Sequence, residues 1–160
     1  MTPTSPASAV HYHPYDVDID AVDDPSLIPA AIEEILRIEP PSPVQAQCVA
    51  HEVTVHDTSI PGGSTKLLLN GSANRDERQF TDPDRFDVRR DEGAHLAFGY
   101  GIHFCLGAAL ARLEGRVALE EILRRRTTRD VDTDRGEMAH TASVRGWGHL
   151  PVRPQRRSSR

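Results

Sequence analysis

Ten consecutive residues hold most of the reactive chemistry in this chain: Phe98-Gly99-Tyr100-Gly101-Ile102-His103-Phe104-Cys105-Leu106-Gly107. One of only two cysteines falls there, together with a histidine and three glycines. A thiolate is the form of cysteine that binds a metal or attacks an electrophile, and a helix N-terminus favours it through unpaired N–H groups and the macrodipole. A helical pattern starts immediately afterwards, with Leu106, Leu110, Leu113 and Val117 at 4-3-4 spacing, so Cys105 is expected at such a terminus. Gly99, Gly101 and Gly107 lack a Cβ, which lets the backbone adopt positive φ and lie close against something flat. Phe98, Tyr100, Ile102 and Phe104 add apolar cover around the sulfur. The combination suits a planar cofactor carrying a metal on its face. Taken singly, a cysteine before a helix is more often a small buried hydrophobe. A zinc site from His95, His103 and Cys105 is excluded by spacing.

The elements that must position this stretch can be read in outline. Asp23-Asp24-Pro25-Ser26 offers capping chemistry and Pro29 suits a first helical position. The helix AAIEEILRI that follows carries Ile28, Ile32, Ile35 and Leu36 on one side, and Pro40-Pro41 ends it. Glu34 and Arg37 share a face of that helix, as do Glu33 and Arg37; spacing alone reads them as solvated surface pairs. Cys48 to Val55 alternates, with Val49, Val53 and Val55 on one face of a half-buried strand. Turns are expected at Asp57-Thr58 and Pro61-Gly62-Gly63, then a second strand at Thr65–Leu69, pairing with the first or with its sheet neighbours. From Ala73 to Asp91 the chain is polar and turn-rich, a surface loop. The helix after Cys105 runs over 106–126, with Arg124, Arg125 and Arg126 as its solvated, cation-favouring end. Met138–Val152 reads as a strand, a glycine turn around Trp147 and a second strand. The class is α+β, mainly α.

Composition closes off several functions. A net charge of −5 and a pI near 5.9 provide no basic field for nucleic acid. Two cysteines most of the chain apart, with no CxxC, make neither a disulfide framework nor a zinc site. No run reaches transmembrane length, so no membrane is expected, and MTPTSPASAV lacks the basic and apolar regions of a secretory leader. A cytoplasmic location is the default. Residues 1–22 and the tail 154–160 are expected to be disordered.

The motif F-G-x-G-x-H-x-C-x-G, followed by Leu110-Ala111-Arg112, resembles the haem-binding loop of bacterial cytochromes P450. The resemblance implies that Cys105 is the axial thiolate of haem b iron, that His103 meets a haem propionate and that Phe98 shields the sulfur. Gly99, Gly101, Leu106, Gly107 and Ala111 would complete the cofactor contacts. Glu34-x-x-Arg37 resembles the family's K-helix ExxR. Pro83-Asp84-Arg85-Phe86 resembles its P-x-R-F element, so Glu34, Arg37 and Arg85 are expected as a structural triad. ANRDERQFTDPDRFDVRRD resembles the family's meander, with Glu77 in place of the usual proline. Pro43–Gln47 corresponds to substrate-facing residues, and Cys48 stands where an arginine usually reaches a propionate, a loss no thiol replaces.

The implied fold is the C-terminal part of the cytochrome P450 fold over 23–153: K helix, small β-sheet, meander, Cys-ligand loop, L helix and C-terminal β-hairpin. The implied activity is a haem-thiolate monooxygenase that inserts one oxygen atom from O₂ into a small organic substrate. Its electrons would come from NAD(P)H through a ferredoxin-type partner. No A-G-x-[DE]-T-like segment for oxygen activation is found, so a missing N-terminal P450 portion is expected as a further partner, without which the chain would be inactive. The apolar faces of both helices should then be exposed or badly covered. The alternative is a truncated, non-catalytic remnant or pseudoenzyme that binds haem weakly or not at all. A third reading is a small interaction module with a buried structural cysteine.

Overall fold

The computed structural model describes residues 24–91, 93–141 and 143–156; the segment 1–22 expected to be disordered lies outside them, as do the last four residues of the tail. Asp24 accepts a hydrogen bond from the Ser26 N–H at 3.0 Å and caps a single 3-10 turn, Pro25–Leu27. Helix α1, Ile28–Ile38, follows directly, with Pro29 in its first turn, where its missing N–H costs nothing. Its buried residues are Ile28, Ala31, Ile32, Glu34, Arg37 and Ile38. The charged pair read as solvated therefore sits on the inner face, and Ile35 and Leu36 are only half-buried. The reason lies in the partner: α1 is met by a loop rich in carbonyls, not by an apolar sheet.

The strand expected over 48–55 is two strands. β1, Gln45–Cys48, pairs antiparallel with β4, Thr65–Leu68, in the register Gln45↔Leu68 to Cys48↔Thr65. β2, Val53–Val55, pairs with β3, Thr58–Ile60, across a two-residue turn in which His56 and Asp57 have φ of 46° and 61°. Two successive positive φ values match the twist of a tight hairpin. Val49 is buried, but Val53 and Val55 are exposed, so the alternating face is not a core face. A one-turn helix α2, Asn70–Ala73, leads into the polar loop.

Helix α3, Ala108–Arg125, crosses α1 where Gly115 faces Ile32. β5, Arg126–Val131, pairs with β8, Val152–Arg156. Arg126 thus opens a strand instead of ending the helix, and ordered strand runs past 153, where the tail was expected to begin. β6, Glu137–Met138, pairs with β7, Trp147–His149. The hairpin exists as expected, but Trp147 is in its second strand and not in its turn. Among the described residues the strands form four separate antiparallel pairs. The apolar core gathers Ile28, Ala31, Ile32 and Ile38 of α1 with Val49, Phe80, Val88, Ala97 and Ala108. It is small, and it lies under the loop that carries Cys105.

Candidate cofactor site

The 74–107 segment has little regular structure, and its shape is held by side-chain bonds to α1. Glu34 and Arg37 form a bidentate ion pair, with Nε to Oε2 at 2.7 Å and Nη2 to Oε1 at 2.8 Å. Both side chains are under 5 % exposed, 4 % for Glu34 and 2 % for Arg37. Burying two charges is costly unless every remaining donor and lone pair is satisfied. Here Arg37 Nη1 donates to the carbonyls of Asn74 (2.8 Å) and Pro83 (2.7 Å), and Nη2 to that of Arg85 (3.2 Å). All five N–H groups of the guanidinium are used. Its Cζ also lies over the Phe80 ring, 5.2 Å from the centroid. Glu34 Oε1 further accepts from the Asp87 N–H at 2.9 Å and from Arg90 Nε at 3.1 Å. Burial raises the Glu34 carboxyl's pKa, but these hydrogen bonds outweigh it and the net direction is down.

The expected triad is therefore altered in one member. Arg85 is exposed and contributes its main-chain carbonyl, whereas the third side chain at Glu34 is that of Arg90. The Arg85 carbonyl also accepts from Arg90 Nη2 at 3.0 Å. Arg90 has a signal in the sequence, since it lies in the same polar stretch, but P-x-R-F draws the eye to Arg85.

A second cluster ties the Cys105 loop to α1 and α3. Glu33 accepts from Arg112 Nε (2.6 Å) and Nη2 (2.8 Å), and its Oε2 is 3.0 Å from His95 Nε2. The Arg112 hydrogen bonds hold the Glu33 carboxyl below its usual range, and burial holds the His95 imidazole down against the pull of Glu33. Arg112 lies 4.7 Å from the centroid of Phe98, and Phe98 packs edge-on to Phe104 at 6.3 Å. These residues, with Glu34, Arg37 and Arg90, line a cavity of about 480 Å³ behind the loop.

The loop itself turns on two glycines. Gly99 and Gly101 have φ of 73° and 70°, which other residues adopt only at a cost. The Gly99 N–H donates to the Leu96 carbonyl at 3.0 Å, and the Cys105 N–H to the Phe98 carbonyl at 2.9 Å. The Cys105 carbonyl accepts from Ala108 at 3.2 Å, so the thiol stands one turn before α3. Cys105 is exposed, not buried as an inert structural cysteine would be. Around it Tyr100, Ile102 and Leu106 are 86 %, 97 % and 105 % exposed, and His103 and Ala111 are exposed as well. A Cβ added at Gly107 would lie 3.9 Å from the Cys105 sulfur, and one at Gly99 would lie 3.9 Å from Gln45 Oε1. β1 thus reaches the loop, bringing the Pro43–Gln47 segment beside it. Cys48 is also exposed, at the far end of β1. The apolar face of α3 is open too: Leu110, Leu113 and Val117 are exposed.

A single soft donor on a glycine turn, ringed by exposed apolar side chains, is what a flat apolar cofactor with a thiophilic metal needs. That defines a cofactor-presenting scaffold. Comparison with known proteins identifies which one: the cytochrome P450 family matches residues 11–143, and the chain belongs to it. It is 48 % identical over 132 residues to 6-deoxyerythronolide B hydroxylase of Saccharopolyspora erythraea, covering 81 % of this chain and 33 % of that protein. Over 133 residues it is 42 % identical to vitamin D(3) 25-hydroxylase of Pseudonocardia autotrophica, covering 81 % and 33 %. The structure of cytochrome P450 CYP109Q5 from Chondromyces apiculatus superposes with a TM-score of 0.82 at 42 % identity, covering 92 % of this chain and 38 % of that one. The fold is therefore part of the cytochrome P450 fold, and the chain spans about a third of the length of the curated relatives it matches. Among the described residues no helix is long and apolar enough to cross a membrane.

Proposed function

We propose that this chain forms the thiolate side of a haem monooxygenase, with Cys105 as the ligand of haem iron. The observation that carries the reading is the exposed Cys105 thiol on a left-handed glycine turn, inside an apolar rim, in a chain that belongs to the cytochrome P450 family. When bound, the haem supplies the iron centre for O₂ chemistry, and a thiolate ligand favours O–O cleavage.

The chain's own residues have distinct tasks in this reading. Gly99 and Gly101 let the backbone lie against the macrocycle. Tyr100, Ile102 and Leu106 exclude water from the thiolate, with Gly107 and Ala111 leaving room beside it. Phe98, held between Phe104 and Arg112, supports the sulfur side of the loop. His103 donates to a propionate. Cys48 leaves a second propionate anchor unfilled, which supports a cofactor held less firmly than in relatives with arginine there.

The reaction class is insertion of one oxygen atom into a small organic substrate, with electrons from NAD(P)H through a ferredoxin-type protein, in the cytoplasm. Two relatives of similar likeness are named for hydroxylating different compounds, 6-deoxyerythronolide B and vitamin D(3), so the likeness supports the reaction class and not a particular substrate. Cys48 and the open face of α3 favour a second reading, a chain that retains the motif without turnover.

The test is the absorption spectrum of the 160-residue chain loaded with haem, reduced and exposed to carbon monoxide. A strongly red-shifted Soret band that Cys105→Ser abolishes is expected. Failure to retain haem, or a band indifferent to the substitution, overturns the proposal.

A further inference from the structure

Asn74 is 0 % exposed, the lowest value among the described residues, and the meander-like stretch it opens gives it no role of its own. It follows α2 as its C-cap residue, with its N–H bonded to the Asn70 carbonyl at 3.0 Å. Its carbonyl accepts from Arg37 Nη1 at 2.8 Å, which fixes its main chain to the buried ion pair. Its side-chain Oδ1 accepts from the Leu96 N–H at 2.6 Å, twenty-two residues on. The amide orientation is settled by that bond, since a main-chain N–H needs an acceptor. Its Nδ2 finds no partner among the described residues. What the side chain does supply is the acceptor for the Leu96 N–H, and removing it would leave that donor without its partner.

Leu96 stands at the entry to the Cys105 loop. Its carbonyl accepts from Gly99, and the Phe98 carbonyl between them accepts from Cys105. The path is continuous: Arg37 N–H to Asn74 carbonyl, Leu96 N–H to Asn74 Oδ1, Gly99 N–H to Leu96 carbonyl, Cys105 N–H to Phe98 carbonyl. Glu33 holds the other side of the loop through Arg112 and His95, but with side chains that are 37 % to 42 % exposed at Arg112 and Glu33. Asn74 itself is fully buried, and its bond to Leu96 joins a main-chain N–H in place of a second mobile side chain.

We infer that Asn74 is a positioning residue: it registers the Cys105 loop against the Glu34–Arg37 pair, and so sets whether the sulfur ligates as thiolate. The inference rests on the proposed haem-thiolate reading, and its first readout does not need haem. In the wild-type chain, hydrogen exchange should find the Leu96 amide among the slowest of residues 93–105. Asn74→Ala, which strands that donor, should speed its exchange about tenfold or more. Asn74→Asp keeps an acceptor at Oδ1 and should restore most of the protection.

With haem and carbon monoxide, Asn74→Ala should move a large share of the red-shifted band to the position given by Cys105→Ser, while Asn74→Asp resembles wild type. Val88→Ala, a core truncation away from this path, serves as the stability control and should leave the band in place. A wild-type Leu96 amide that exchanges freely overturns the inference even if Asn74→Ala does not fold. So does an unchanged band in Asn74→Ala, or equal damage from Asn74→Asp and Asn74→Ala. A wild-type chain with no red-shifted band, but with a protected Leu96 amide that Asn74→Ala releases, refutes the haem reading and leaves Asn74 as the loop's anchor.

Discussion

The two ends of the Cys105 loop are built on opposite principles. Behind it, Glu34 and Arg37 are charged and buried, and each donor and acceptor is met by the chain itself. In front of it, Tyr100, Ile102, Leu106 and the Leu110–Leu113–Val117 face of α3 are apolar and exposed. Residue type alone would have reversed these locations. The contrast teaches that this segment spends its own folding energy on fixing the loop from behind, and leaves the cofactor-facing side as surface. Rigidity comes from a hydrogen-bonded charge, and the apolar side chains are spent on recognition.

The sharpest way to break the contrast is at its centre. Arg37→Ala leaves Glu34 buried with only Arg90 and the Asp87 N–H, and strands the carbonyls of Asn74 and Pro83; removing one partner of a buried pair costs about 3–5 kcal/mol. Given a core this small, the variant is expected to be largely unfolded. Leu113→Ala, on the open face, should change stability by no more than about 0.5 kcal/mol. Urea titration of both variants followed by circular dichroism decides the matter, and equal costs would dissolve the comparison. Arg37→Lys should fall close to Arg37→Ala, because an ammonium cannot serve five acceptor directions at once.

The seam between the two regions offers a smaller and opposite effect. Gly115 lies in the middle of α3, and a Cβ there would sit 3.7 Å from three carbons of Ile32, an ordinary contact. Glycine in a helix interior costs about 1 kcal/mol relative to alanine. Gly115→Ala is therefore expected to stabilise the chain by roughly 0.5–1 kcal/mol, read as a rise in the urea midpoint. A loss of stability would mean that α1 and α3 pack more tightly than the structure has them.

How much of this was legible in the sequence follows the same division. The Cys105 motif was plain because glycines, a cysteine and a histidine at fixed spacing declare themselves, and the turn at Gly99 and Gly101 formed where they stand. Both helices were legible from periodicity and prolines. The burial of Glu34 and Arg37 was not, because three-residue spacing looks the same on a wet or a dry face; only the family resemblance pointed to it. Arg90 was missed in favour of Arg85 because the choice depends on which guanidinium the loop folds inward, a tertiary matter. The break between β1 and β2 was hidden because Val49, Val53 and Val55 keep a period of two across residues 50–52, where the backbone leaves the ladder. Asn74 lay within the meander-like stretch, but its role carried no local signal, since its two partners lie thirty-seven residues before it and twenty-two after.

The smallest expected effect concerns pH, and it separates the two ties of the loop. Facing His95 are Glu33, which favours its protonation, and Arg112 and Arg37, which oppose it; burial dominates, and the folded imidazole titrates below its ordinary value of 6.5. The unfolded chain takes up its proton near 6.5, so below that pH the unfolded state holds more protons and stability falls. The loss is complete once pH has dropped through the lowered folded value. Glu33 and Glu34 are depressed carboxylates, so their contribution is present above 4.5 and is lost as pH falls below it. Two acid limbs result, one starting near 6.5 and one below 4.5. His95→Gln should flatten the upper limb and spare the lower, as read from urea midpoints across that range. If the upper limb persists in His95→Gln, the proton enters elsewhere. The Glu33–His95 contact would then be a bond between a neutral imidazole and a carboxylate without weight in the upper limb, and the Asn74 link would hold the loop there as well.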